Sequence, residues 1–357
     1  MAVMSYRHSK ATSDMIDSSN VDSMFGTEYM KTQFQSFKAK HGKSYASPLL
    51  EAHRFQIFQQ NMQKIAELSI KNPEATFGAT KFADLHPLEF KQRYLTYKPA
   101  VGDAAVLRQQ APVRQATPEQ IRQIPDSFDW RSPDKGRSVA VTAVKDQGQC
   151  GSCWAFSAVE TVESAHILAG NTPVALAPEQ VVDCDTVDGG CNGGDTPTAY
   201  AYIKANGLQT EQSYPYTAGN SGTASQCAYN KNKVVTKIAG FTYATPGCTD
   251  SCAKQDEAKL AESLYNVGPV SICVDASSFQ FYSSGILTAS SGCASDYNSL
   301  NHCVQLVGYG IDAASKTKFW SIRNSWAASW GEQGYVRVLY GANTCGVADE
   351  ATNVEIA

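Results

Sequence analysis

The sequence predicts a chain that mixes helices with strands and divides near residue 123 into an N-terminal segment and a larger body. Three observations predict this. Between Tyr29 and Tyr97 the chain is rich in Lys, Gln, Glu, Phe and Leu at helical spacing. Within it, Arg54, Phe58, Asn61 and Ile65 fall at intervals of four, three and four, one stripe of a helix. After Cys153 the chain turns strongly helix-forming (Ala155-Phe156-Ser157-Ala158-Val159-Glu160). Two later runs, 299–310 and 319–326, read as strands, the first ending in Gly and the second entering a turn at Asn324. A length of 357 residues allows about two domains, and 43% hydrophobic content is ample for a core.

Taken in order, residues 1–26 form a polar extension whose first 25 residues carry no apolar signal core. Residues 27–98 are the helical segment. Residues 99–123 (Pro99, Gly102, Gln109, Gln110, Pro112, Pro118) read as an extended, cleavable linker, and the body occupies 124–357. Charge follows the same division. From residue 124 onward there are 23 acidic and 14 basic residues, a net of −9, whereas the preceding part holds 11 acidic and 16 basic, a net of +5. A basic segment beside an acidic body is electrostatically complementary, and falling pH weakens the attraction as carboxylates protonate. The acidity argues against a nucleic-acid partner. No run of about 18 apolar residues occurs, so no membrane span is expected.

All eleven cysteines fall between 150 and 345, a clustering that suggests disulfides and an oxidising compartment. No Cys-x-x-Cys pair has a matching partner pair and histidines are few, so neither a metal nor another cofactor is expected. No Asn-x-Ser/Thr glycan acceptor occurs.

The run Gln147-Gly148-Gln149-Cys150-Gly151-Ser152-Cys153-Trp154 carries the chemistry. A thiol opening a helix feels the positive end of the helix dipole, which favours thiolate, the nucleophilic form. Of six histidines only His166 and His302 follow it. His166 is 13 residues along the same helix, about 20 Å away at 1.5 Å per residue, too far to exchange a proton. His302, at the head of the first strand run, is the candidate base, and Asn324 is the candidate orienter.

These residues resemble the active-site signature of papain-like cysteine proteases, the cathepsin L group in particular. The resemblance implies an α+β, two-domain papain-like fold. A helical domain would carry Cys153 on its central helix, a mostly β, barrel-like domain would carry His302 and Asn324, and a small helical propeptide domain would precede both. It makes Cys153 the nucleophile, His302 the base and Asn324 its orienter shielded by Trp326, with Gln147 donating to the oxyanion beside the Cys153 amide. Ala327 departs from the family, where glycine is usual. The stripe from Arg54 to Ile65 and the run Gly78-x-Thr80-x-Phe82-x-Asp84 are similar to the inhibitory propeptide. Here the expected Glu is displaced to Glu51, Ser69 replaces Asn, and Thr80 replaces Asn. Ile124–Arg131 resembles a mature N-terminus.

The same resemblance pairs Cys150 with Cys191, Cys184 with Cys227 and Cys293 with Cys345. Cys248 and Cys252 make a candidate small loop. Cys153, Cys273 and Cys303 are left over, and the odd total requires at least one thiol outside intrachain bridges. Substrate binding is expected from Gly193 and Gly194 through their backbone, from Asp195, Thr196, Cys273, Leu300, Asn301 and Trp326, and from Glu350 at the floor of the main pocket. An acid there implies acceptance of Arg as well as Leu or Phe. No His lies between 167 and 301, so the His-bearing loop of exopeptidase relatives is missing and endopeptidase action is expected. Implied partners are peptide and protein substrates, the chain's own propeptide in the cleft, and cystatin-type inhibitors. A monomer in a lysosome, a digestive vesicle or the secreted fraction is expected. A catalytically silent binding protein on the same scaffold, and a peptide ligase, are the alternative readings.

Overall fold

The computed structural model describes residues 26–133, 136–248 and 255–357. Residues 1–25 of the polar extension lie outside them, as does Cys252 of the expected Cys248–Cys252 pair.

The N-terminal segment begins with helices α1 (Thr27–His41) and α2 (Pro48–Lys71). Helix α2 starts where it does because the Ser47 hydroxyl accepts the Leu50 amide and Pro48 occupies the first turn, where a missing N–H costs nothing. Its inner stripe buries Ile57, Phe58, Asn61, Ile65 and Leu68. The Asn61 amide donates to the carbonyls of Ala83 and Leu85, both at 2.8 Å. Arg54 forks onto Glu89, with Nη2 2.9 Å from Oε1. A polar side chain inside an apolar stripe thus fixes the turn that joins strand β1 (Ala75–Phe77) to helix α3 (Pro87–Tyr94).

The N-terminal segment is less separate than expected. Met30, Phe34, Phe37, Phe58 and Ala83 form a small core of their own. Ile65, Phe77, Phe82, Phe90 and Tyr94 instead join the core of the body. The linker also departs from the extended reading. It holds helices α4 (Val106–Gln110) and α5 (Pro118–Gln123), the second closed by a reciprocal cap between Thr117 and Gln120. Between them the Arg114 amide donates to the Tyr243 carbonyl and the Tyr243 amide to the Pro112 carbonyl, each at 2.8 Å. A segment without a core takes its shape from the strand edge it lies on.

The body comprises β2 (Phe128–Asp129), α6 (Cys153–Leu168), α7 (Pro178–Cys184), α8 (Thr196–Asn206), β3 (Leu208–Gln209), β4 (Val234–Thr236), β5 (Ile238–Tyr243), α9 (Glu257–Asn266), β6 (Val270–Val274), β7 (Tyr282–Leu287), β8 (His302–Ile311), β9 (Lys318–Arg323), β10 (Tyr335–Leu339) and β11 (Glu350–Ile356). The large sheet runs β1-β7-β10-β9-β8-β6-β11-β5, with β2 pairing to β8. Strand β1 of the N-terminal segment therefore extends the sheet, pairing Ala75 with Gly285. The helical half has its own core around Trp154, Val159, Val181 and Tyr200.

Helix α6 is buried on nearly every side, so it lies between the two halves. Ser157 Oγ donates to the Val304 carbonyl at 2.7 Å and Gln305 Nε2 to the Glu160 carbonyl at 3.0 Å. These bonds pin the start of α6 to the start of β8. Strand β8 is buried along nearly its whole length, which explains a sequence that is apolar without alternation.

Disulfides join Cys150 to Cys191, Cys184 to Cys227 and Cys293 to Cys345. Cys248 is also disulfide-bonded. Cys273 and Cys303, left over in the sequence reading, are bonded to each other across directly opposed positions of β6 and β8, with Cα atoms 4.0 Å apart. Register, which spacing does not reveal, makes that pair. Among the described residues Cys153 is the free thiol.

Candidate active site

Cys153 is the first residue of α6, and its sulfur lies against the backbone of Cys303, the residue after His302. His302 opens β8 and Asn324 follows directly on the end of β9, so the antiparallel β8–β9 pair sets them side by side. His302 Nε2 meets Asn324 Oδ1 at 2.8 Å. The same oxygen accepts the Ser325 amide at 2.8 Å, so it faces the ring as an acceptor and keeps the proton on Nε2. The indole of Trp326 packs on the imidazole with ring centres 4.8 Å apart. Among His302's ring atoms Nδ1 has no hydrogen-bond partner. His166 sits near the far end of α6, as its sequence position requires.

Gln147 is buried, and its Oε1 accepts from Ser325 Oγ at 2.7 Å and Trp326 Nε1 at 3.1 Å. Those two donors settle which end of the amide is which. Nε2 is left as the donor and rests on the Cys150 carbonyl at 3.0 Å.

Ala327 adopts φ +64°, the left-handed region that favours glycine. Its amide donates to the Lys145 carbonyl at 2.9 Å, which holds the turn. Ala327→Gly is expected to stabilise the processed protein by about 0.5–1 kcal/mol, the relieved Cβ clash being partly offset by glycine's freer unfolded chain. A higher denaturation midpoint at unchanged slope is the check.

The N-terminal segment covers this arrangement. Thr96 Oγ1 is 4.0 Å from Cys153 Sγ. The Tyr97 amide donates to the Asn301 carbonyl at 3.0 Å and the Lys98 amide to the Gly194 carbonyl at 3.1 Å. Gly193, at φ +106°, has the Thr96 carbonyl where a Cβ would stand, so a side chain there is excluded. The Tyr97 ring packs with Cys273, Leu300, Cys303 and Tyr297 in one buried cluster that also contains Cys153. Thr196 opens α8, buried, with its hydroxyl unpartnered. Trp326 is covered by Phe82, Phe90 and Tyr94, each edge-on.

Glu350 is fully buried and accepts the Tyr243 hydroxyl at 2.6 Å. The side chain of Arg108, from α4, reaches both acids: its Nε is 3.2 Å from Glu350 Oε2 and its Nη2 is 2.7 Å from Asp195 Oδ2. Segment 96–108 therefore touches or packs with Asn301, Gly193, Gly194, Asp195, Cys273, Leu300 and Glu350, which the sequence reading named for substrate binding. Tyr97, Arg108, Tyr243 and Tyr297 also take part in these contacts and were missed. Arg108 is one of three arginines in a Gln- and Ala-rich linker, and no local pattern sets it apart.

Electrostatics of the covered site oppose reactivity. Burial lowers the His302 pKa to about 4 although the Asn324 bond pulls it upward. Burial also raises the Cys153 thiol, outweighing the favourable bonds from the Cys303 backbone and from the Thr96 side chain and backbone. The dipole is worth at most about 2 kcal/mol, whereas full burial shifts a pKa by several units. Under the N-terminal segment burial thus disfavours the charged form of both groups.

A family model described as "Papain family cysteine protease" matches residues 124–354, and one described as "Cathepsin propeptide inhibitor domain (I29)" matches residues 34–90. "Cysteine proteinase B" of Leishmania mexicana is 42% identical over 316 residues, covering 87% of this chain and 66% of that protein, just under two thirds. "Cysteine proteinase 1" of Dictyostelium discoideum is 39% identical over 339 residues, covering 89% and 91%. The digestive procathepsin L2 proteinase of Tenebrio molitor larval midgut superposes with TM-score 0.77 at 30% identity, covering 91% of this chain and 99% of that one. With its cysteine, histidine and asparagine assembled beneath an N-terminal segment of the inhibitor type, the chain belongs to the papain family of cysteine proteases.

Proposed function

We propose that this chain is the zymogen of a cysteine endopeptidase. The observation that carries the reading is the His302–Asn324 pair packed on Trp326 beside the Cys153 helix terminus, with Thr96 of the propeptide lying over the sulfur. Once uncovered, His302 Nδ1 takes the thiol proton and the thiolate attacks the peptide carbonyl. Gln147 Nε2 and the Cys153 amide hold the oxyanion. The intermediate collapses to an acyl-enzyme as His302 gives its proton to the leaving amine. His302 then draws a proton from water, whose oxygen displaces the sulfur.

The substrate runs along Gly193–Gly194 and Asn301, with its second residue before the scissile bond in the pocket where Tyr97 lies. Acceptance of Leu, Phe and Arg follows from an apolar wall of Leu300 and the Cys273–Cys303 bridge over the acid Glu350. The missing His between 167 and 301 supports endopeptidase over exopeptidase action. Substrates are peptides and unfolded proteins, and cystatin-type inhibitors suit the same site. A monomer in a lysosome, a digestive vesicle or the secreted fraction suits the disulfides found among the described residues.

Acid triggers release of the propeptide, followed by cleavage near residues 118–124, where α5 has no buried residue. Lys81 pairs with Asp146 at 3.0 Å and Arg114 with Glu262 at 2.7 Å, each a propeptide or linker base on an acid of the body. Bonds from Arg54 hold the Glu89 pKa low. Burial pulls Glu262 upward, but Arg114 and Asn266 outweigh it and keep that carboxyl low too. A depressed carboxylate contributes stability above its unfolded pKa and loses it as pH falls through the folded value, so docking weakens below about pH 4.5. Glu350 and Asp195 are raised by burial and so do not drive acid release.

The expected result is processing that accelerates from neutral pH to about 4 on a gel, with the product labelled at Cys153 by an epoxide thiol inhibitor and cleaving a Phe-Arg reporter. Glu262→Gln is expected to move the onset to higher pH. Processing no faster in acid rejects the trigger, and an unlabelled, inactive product rejects the enzyme.

A further inference from the structure

Asp195 stands at the head of α8 with only 1% of its surface exposed, and Glu350 at the head of β11 with none. Two buried carboxylates sharing one pocket are costly without a cation. Asp195 Oδ2 accepts from Arg108 Nη2 at 2.7 Å and from the Ala100 amide at 2.8 Å, while Oδ1 has no partner. Glu350 Oε1 is held by Tyr243, while Oε2 has the Arg108 guanidinium nearby without a formed hydrogen bond. Arg108 and Ala100 belong to the part that activation removes, whereas the Thr196 backbone, which also bonds the Asp195 carboxyl, stays. The body retains the two acids and the Tyr243 and Tyr297 hydroxyls.

The bound shape is also on display. Arg108 Nη1 contacts the Tyr297 hydroxyl, its Nε lies 3.3 Å from the Tyr243 hydroxyl, and its guanidinium carbon is 5.2 Å from the Tyr297 ring centre. Those contacts use the flat, multi-pronged geometry of a guanidinium, which an ammonium does not reproduce. Tyr97, standing where a substrate residue enters the pocket, brings its hydroxyl 3.1 Å from Arg108 Nη2. An arginine entering along the Tyr97 path is long enough to carry its guanidinium to that hydroxyl's position, between the two acids.

We propose that Asp195 and Glu350 together form a guanidinium receptor in the mature enzyme, occupied in the zymogen by Arg108. The receptor selects arginine over lysine two residues before the scissile bond. This rests on the peptidase reading above and adds Asp195 as a second specificity-determining acid.

The experiment compares acid-processed enzyme on reporters identical except for Arg, Lys, citrulline or Leu at that position, with active sites counted by epoxide titration. Citrulline keeps arginine's shape without its charge. Arginine is expected to exceed citrulline and lysine in kcat/KM by roughly tenfold or more, and Asp195→Asn to lower the Arg-to-Leu ratio by about tenfold. Equal turnover of arginine and citrulline, or a wild-type ratio in Asp195→Asn, overturns the proposal. If that variant yields no titratable sites, the wild-type comparison of arginine with citrulline decides. Cleavage of the Leu reporter without arginine selectivity removes this inference alone. No cleavage of any reporter and no titratable thiol removes the peptidase reading itself.

Discussion

Replacing His302 with alanine is expected to lower kcat/KM of the processed enzyme by about 10⁴-fold or more. The imidazole has two tasks. It holds the thiol proton so that Cys153 is a thiolate, and it returns a proton to the leaving amine. The Asn324 bond at 2.8 Å and the Trp326 face at 4.8 Å hold the ring in one tautomer and orientation, so no other described side chain stands ready to substitute. Active-site titration separates loss of chemistry from loss of folded protein. The thiol of the variant should also label far more slowly, because its charged partner is gone. Retention of a tenth of the wild-type rate would mean that His302 is not the base.

Phe82→Ala is expected to unlatch the zymogen. Phe82 is 1% exposed, and its ring centre lies 5.2 Å from Trp326, 5.1 Å from Phe90 and 4.7 Å from Tyr94. Truncating a buried phenyl ring costs about 3–5 kcal/mol, which corresponds to a rise of roughly 10²- to 4 × 10³-fold in the uncovered population. Opening also restores the charges. Burial under the propeptide holds His302 near pKa 4 and raises Cys153, so water entering the site favours the ion pair. The readout is the rate of epoxide labelling of the unprocessed chain at neutral pH. A rate equal to wild type would show that the aromatic cluster does not latch the propeptide.

Much of this site was legible residue by residue. Cys153 announced itself through a helix-forming run, and the distance along that helix removed His166 as a partner. The β8 and β9 runs were readable because β8 is apolar throughout and β9 ends at a polar turn. Ala327 was noticed as a departure from glycine, and its φ of +64° gives that departure its physical content. Other features were invisible for definite reasons. The Cys273–Cys303 bridge depends on which residues of β6 and β8 stand opposite, and a shift of register by one residue would separate them. The linker looked extended because its residues favour no structure alone; α4 forms where the chain lies against the body. Arg108 carries no local signature, and its partners Asp195 and Glu350 lie 87 and more than 200 residues away.

By itself the sequence determined the candidate nucleophile, its helix, the strands bearing its candidate partners and the opposite charges of the two parts, because each depends on local spacing or composition. Only the tertiary structure decided what covers the thiol, which cysteines pair across β6 and β8, and which base fills the acidic pocket. Those outcomes depend on separations of a few ångströms between groups far apart in the chain, where burial rather than residue type sets the charge each group carries.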